Sequence, residues 1–194
     1  MTANDIVGDA RVARVRELKT ALAEAKAQLQ QAESERDVLA AHFHLALAAL
    51  RDFEQLGQEG RLRIVDGWNA ILRNRNVSKL AAAEISKLKA DYLAGLGIAS
   101  PSSSSPHPVT HWIVFDGPEE NSYRSGPYRV TYTGGTGPHR ADRLILDYVH
   151  AAKLLGLDIS RITVETADKA LAKRLVVFGA MVACAGDAGS VPIA

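Results

Sequence analysis

The stretch LRIVDGWNAILRN, residues 62–74, is where the reading of the fold begins. Leu62, Ile64 and Val65 form a short apolar run of β character that stops at a carboxylate, Asp66, followed by a glycine, an aromatic residue and an amide. Asp and Gly are common wherever a chain turns, so one Asp-Gly after a strand signals a change of direction and nothing more. A sharper meaning requires the pattern to recur.

It recurs. HWIVF (111–115) runs into Asp116-Gly117, YRVTYT (128–133) runs through GGTGPHR into Ala141-Asp142, and RITVET (161–166) runs into Ala167-Asp168. Strands are expected over 62–65, 111–115, 128–133, 161–166 and 181–185, alternating with helices over 78–93, 141–155 and 169–178. Ser78 is a candidate N-cap, and Gly156 and Gly179 stand where C′ glycines belong. ASPSSSSPHP (99–108) reads as a mobile loop. Such alternation implies an α/β domain over 58–194 with a mostly parallel sheet and helices on both faces. In a parallel sheet the carboxyl ends of the strands share one edge, where open α/β folds place their ligand sites.

Residues 1–57 have a different character. From Asp9 to Leu56 there is neither Gly nor Pro, and helix formers dominate. Val15, Leu22, Leu29, Arg36, Phe43 and Leu50 recur every seven residues, as do Leu18, Ala25, Ala32, Leu39, Ala46 and Phe53. Only Arg36 breaks the apolar seam. A helix on the order of 70 Å long with one apolar stripe calls for a coiled-coil partner, and the absence of an internal turn makes a second copy of the chain the expected one, parallel or antiparallel. His42 and His44, two residues apart, point to different sides of that helix and do not make a metal pair.

Composition narrows the class. The 194 residues are 47% hydrophobic and 23% charged, which is ordinary for a globular chain. The lone Cys184 has no disulfide partner and excludes thiolate zinc motifs, so a reducing, cytoplasmic setting is expected. No secretory leader or membrane span is apparent. Residues 1–60 carry 7 Lys+Arg against 10 Asp+Glu, a net of −3, and the remainder 16 against 12, a net of +4. The second part therefore suits a polyanionic partner.

Singly, each strand-end Asp fits a turn, or, for Asp142 and Asp168, a charge at the positive end of a helix. Four converging on one edge would repel one another unless they flanked a cation, and oxygen ligands without His or Cys suit Mg²⁺ or Mn²⁺. Such ions commonly act on phosphate esters.

The segments RIVDGWNAI, VFDG, ADRLI and TADKALAKRLVVFGA, in this order, resemble the NYN domain, in particular its YacP-like branch within the PIN and FLAP nuclease assemblage, over residues 61–185. The resemblance implies a PIN-like three-layer α/β/α fold and metal-dependent ribonuclease activity. It also implies Asp66, Asn69, Asp142 and Asp168 as the acidic and polar site. Asp116 matches a position typical of the branch and joins the expected metal set of Asp66, Asp116, Asp142 and Asp168. Trp68 stands where Tyr is common, and the long helix is not part of the domain.

Asn69 is expected to orient a water or a phosphate oxygen, or else to cap the turn. Arg73, Arg75, Arg124, Arg140 and Lys169 are candidate phosphate contacts near the strand ends, and Trp68 and Tyr123 are candidate stacking partners for bases. GGTG lacks the Lys-Ser/Thr of a P-loop, which excludes nucleotide binding there. The leading expectation is an endoribonuclease acting on RNA. The alternative is a non-catalytic RNA-binding or ribosome-associated adaptor on the same fold. A phosphoaspartyl phosphatase using VFDG would want a second Asp where Pro118 stands.

Overall fold

The computed structural model describes residues 3–72, 80–98, 107–135, 137 and 139–184. The chain divides into two compact units, Met1–His44 and Leu45–Ala194. Helix α1 (Ala3–Leu56) accounts for the described part of the first unit. There the heptad seam is bare: Leu18, Leu22, Leu29, Leu39 and Phe43 are all exposed.

The second unit takes the last turns of α1 into its core. Ala49 and Phe53 are buried there, and Asp52 is buried between them in sequence. Burying a carboxylate is costly unless it is paired and hydrogen-bonded. Asp52 is both. Tyr148 donates its hydroxyl to Oδ2 at 2.7 Å, Arg129 donates Nη1 to Oδ1 at 3.0 Å, and the Arg129 guanidinium lies 4.3 Å above the Trp112 ring. Arg161 secures the chain just beyond the helix, donating Nε to the Gly60 carbonyl at 2.8 Å and bonding the Gly57 carbonyl as well.

Beyond α1 the second unit is built on a six-stranded sheet. The strands are β1 (Leu62–Asp66), β2 (His111–Phe115), β3 (Glu120–Ser125), β4 (Tyr128–Thr133), β5 (Ile162–Thr166) and β6 (Met181–Cys184). Their order is β3-β4-β2-β1-β5-β6. Every neighbouring pair is parallel except β3 with β4. From β1 the chain winds outward to β2 and β4, then crosses back to the other side of β1 for β5 and β6.

Side chains alternate across this sheet as the pleat requires. Leu62, Ile64, Trp112, Val114, Ile162 and Val164 join one apolar cluster. It also takes in residues of α4 (Arg140–Leu154) and α5 (Lys169–Phe178). Val65, Ile113, Phe115 and Val130 join a second cluster with Ile71 of α2 (Gly67–Leu72) and Leu93 of α3 (Ala82–Gly95). Gly156 and Gly179 end α4 and α5 with φ of 72° and 96°, the left-handed geometry expected there.

Three differences from the sequence reading have physical causes. Strand β3 is absent from that reading because ENSYRS carries no apolar run; it is an edge strand held by its hairpin to β4. Helix α2 opens directly after Asp66, too short to show a period. Helix α3 begins at Ala82 rather than 78; the expected cap, Ser78, and most of the Ser-rich loop lie outside the described residues. Among the described residues no helix is long and apolar enough to cross a membrane.

Removing the carboxylate from the Asp52 pair would leave a buried guanidinium without its counter-ion. Asp52→Ala is therefore expected to lower the unfolding free energy by about 3–5 kcal/mol, and Asp52→Leu combined with Arg129→Met to recover most of it. Urea midpoints of the three proteins check this.

Candidate functional site

Asp66 ends β1, a central strand with parallel neighbours on both sides, and is only 3% exposed. Its Oδ1 accepts the Asn69 backbone N–H at 3.3 Å. Oδ2 accepts the Asn69 side-chain amide and the Thr166 hydroxyl at 3.2 Å. Burial pushes the Asp66 carboxyl up to about 6; the Asn69 bonds oppose this, the like charge of Asp142 adds to it, and Thr166 opposes it. Gly67 directly after it is required by packing, since a Cβ there would lie 2.3 Å from the Phe115 ring.

Thr166 ends β5 and ties two carboxylates together. While donating to Asp66, its Oγ1 accepts the Asp168 N–H at 3.0 Å. Asp168 in turn caps α5, its Oδ1 accepting from Ala170 N at 2.6 Å and Leu171 N at 3.0 Å. Asp142 lies in the first turn of α4, and its Oδ2 is 3.0 Å from His139 Nδ1. His139 holds a left-handed φ of 59°, uncommon for a residue with a Cβ. One ligand atom from each of His139, Asp142 and Asp168 lies within 4.8 Å of the others. A separation of that order lets one cation be reached by all three, and neutralising the two carboxylates would relieve their repulsion.

The assembled group keeps two of the four expected carboxylates, Asp142 and Asp168, leaves out Asp66 and Asp116, and adds His139. Asp116 is engaged elsewhere: its Oδ1 accepts the Ala141 N–H at 2.7 Å and the Thr133 hydroxyl at 3.2 Å, holding the first turn of α4. His139 enters in its place, so an oxygen-only donor set no longer describes the cluster, and the ground for preferring Mg²⁺ or Mn²⁺ over softer ions is weaker. Asp66 stands apart from the three, near enough to Asp142 for the charges to interact. His139 is legible only as the His three residues before Asp142 in PHRAD, and Thr166 as the hydroxyl two before Asp168.

The basic candidates scatter. Lys169 is the exposed first residue of α5, beside Asp168. Arg140 folds back onto its own loop, donating Nη2 to the Thr133 carbonyl at 3.1 Å and covering Gly135 so closely that a Cβ there would meet its guanidinium. Arg124 pairs in register with Arg129 near the start of β4 and donates to the His107 carbonyl at 2.6 Å. It therefore sits at the opposite end of the sheet from the carboxylates. Arg73 and Arg75 lie outside the described residues. Trp68 donates Nε1 to the Asp116 carbonyl at 2.8 Å and meets Phe115 edge-on at 5.2 Å, a bracing role for the strand end. Tyr123 packs on the second cluster. A cleft of about 590 Å³ opens beside Asp116, walled by Trp68, Ile85, Lys89, Asn121 and Tyr132.

Comparison with family models, with curated proteins and with solved structures returns no match.

The raised carboxyl of Asp66 has a sign that can be measured in ion-free protein. Its protonated form is favoured in the folded state, so its contribution to stability is full below the unfolded value of 3.8 and is lost as pH rises through about 6. The unfolding free energy of the wild type minus that of Asp66→Asn is expected to fall by about 2–3 kcal/mol across that window. Denaturant titrations in chelator at several pH values read it directly.

Proposed function

We propose that the chain is a metal-dependent endoribonuclease of the NYN kind, YacP-like, with a PIN-like three-layer domain and Mg²⁺ or Mn²⁺ as its ion. The observation that carries this reading is the meeting of His139, Asp142 and Asp168 at the carboxyl edge of a mostly parallel sheet, with Asp66 near enough to Asp142 for their charges to interact. The sheet order supports it too, since the winding reverses between β1 and β5, where open α/β sheets hold their ligands.

In this reading Asp142 and Asp168 hold the ion, His139 offers a further ligand, and Asp66 acts on the site through its charge interaction with Asp142. A divalent cation there would supply charge neutralisation at a phosphodiester and a bound water of lowered pKa. Asn69 fixes Asp66 by donating to it twice, once from the backbone and once from the side chain. Thr166 couples Asp66 to the backbone of Asp168, so a change in one carboxylate is felt by the other. Lys169 stands where a flanking phosphate of single-stranded RNA would pass, and the cleft beside Trp68 and Lys89 offers room for a neighbouring nucleotide.

Cleavage of single-stranded RNA is expected to require added Mg²⁺ or Mn²⁺ and to vanish in EDTA. Asp142→Asn and Asp168→Asn should each lower the rate by about a hundredfold or more. Asn is itself a good N-cap, so Asp168→Asn keeps α5 intact and separates chemistry from folding. RNA affinity measured in EDTA should hold or rise, because each change removes a negative charge. Wild-type cleavage by both variants would overturn the assignment. Binding without cleavage by the wild type in either metal would favour the adaptor.

A further inference from the structure

We propose that residues 18–43 of α1 pair with the same segment of a second copy, antiparallel, with Leu29 opposite the partner's Ala32. The seam is there and uncovered: Leu18 is 54% exposed, Leu29 61%, Leu39 69% and Phe43 62%. Its charges decide the orientation.

A parallel, in-register pair meets two conflicts. Arg36 occupies a seam position, so it would face the partner's Arg36 inside the interface. On each flank Arg14 would lie beside the partner's Lys19, and no flanking pair would join opposite charges. Like charges in such positions disfavour the arrangement.

Antiparallel pairing removes both conflicts in one register. Leu18 then faces the partner's Phe43, Leu22 the partner's Leu39, and Leu29 the partner's Ala32. Arg36 faces the partner's Ala25, whose small side chain leaves room for the arginine stem to run out to water. On the flank Lys26 lies beside the partner's Glu33, and the two-fold repeats that pair. Among the described residues neither Lys26 nor Glu33 is committed to an ion pair within its own chain. Sliding the helices by one heptad one way places Glu33 beside the partner's Glu33 across the dyad; sliding the other way brings Lys19 beside the partner's Glu33 but sets Lys26 beside the partner's Lys26 and Arg36 opposite the partner's Leu18. The proposed register of the roughly 40 Å seam is the one of the three without a like-charge pair at the dyad.

The test uses the full chain with Cys184→Ser, spin-labelled in separate proteins at Thr20→Cys and at Ser34→Cys, both on the outer face of the helix. Antiparallel pairing in this register separates the two Thr20 labels along the axis by about 30 Å and the two Ser34 labels by about 10 Å. Parallel pairing makes the two distances equal. In sedimentation, Lys26→Glu should raise the dimer dissociation constant about tenfold, and Lys26→Glu with Glu33→Lys should restore it. Equal label distances would overturn the orientation. A chain that stays monomeric at every concentration, or a Lys26→Glu variant that associates as the wild type does, would overturn the proposal.

Discussion

Strand β1 is hydrogen-bonded in parallel on both sides, by β2 and by β5, and these neighbours belong to opposite halves of the winding. The rest of the site depends on that constraint. Because the register sets Val65 opposite Glu165, the next pleat carries Asp66 alongside Thr166, and the hydroxyl reaches the carboxylate. A carboxylate this buried is tolerable only with donors aimed at it, and Asn69 and Thr166 provide them. Even so burial disfavours its ionised form and pushes its carboxyl up to about 6.

The other carboxylates serve folding and the site together. Asp116 accepts the Ala141 N–H across the sheet edge and so anchors α4, which delivers Asp142; Asp168 both caps α5 through Oδ1 and belongs to the cluster. Helix N-termini favour negative charge, and this offsets part of the repulsion between acids placed close together. The loop that brings His139 to Asp142 turns on Gly134 and Gly135 at φ of 69° and 71°, with Arg140 laid across it. A side chain at Gly135 would be strained by its positive φ and would displace the Arg140 guanidinium from the loop.

In the Leu45–Ala194 unit the buried polar set of Asp52, Arg129 and Tyr148 has a similar logic. It fixes the last turns of α1 against β4 and α4 through groups that are unfavourable unless all are present, which favours one arrangement over sliding apolar contacts. Within the Met1–His44 unit no such anchor appears among the described residues, and its apolar seam is left to water.

Much of this was written locally. The run LRIVD, the alternation of strands and helices and the glycine stops follow from periodicity and turn chemistry, so the mostly parallel sheet and the long helix were legible from residues alone. So was the delivery of an Asp just past each of four strands. The sequence was silent on β3, whose polar residues pair only because β4 is there to receive them. It was silent too on which acids would meet. Asp116 and Asp142 look alike in sequence, each following a strand, and only the docking of α4 turned one to a helix cap and the other toward His139 and Asp168. Arg124 and Arg140 read as strand-end cations, but an antiparallel hairpin carried the first to the far end of the sheet and a glycine loop folded the second inward. Periodicity reports which face of an element is buried; which polar groups share a site depends on contacts between elements far apart in the chain, and those are set by packing.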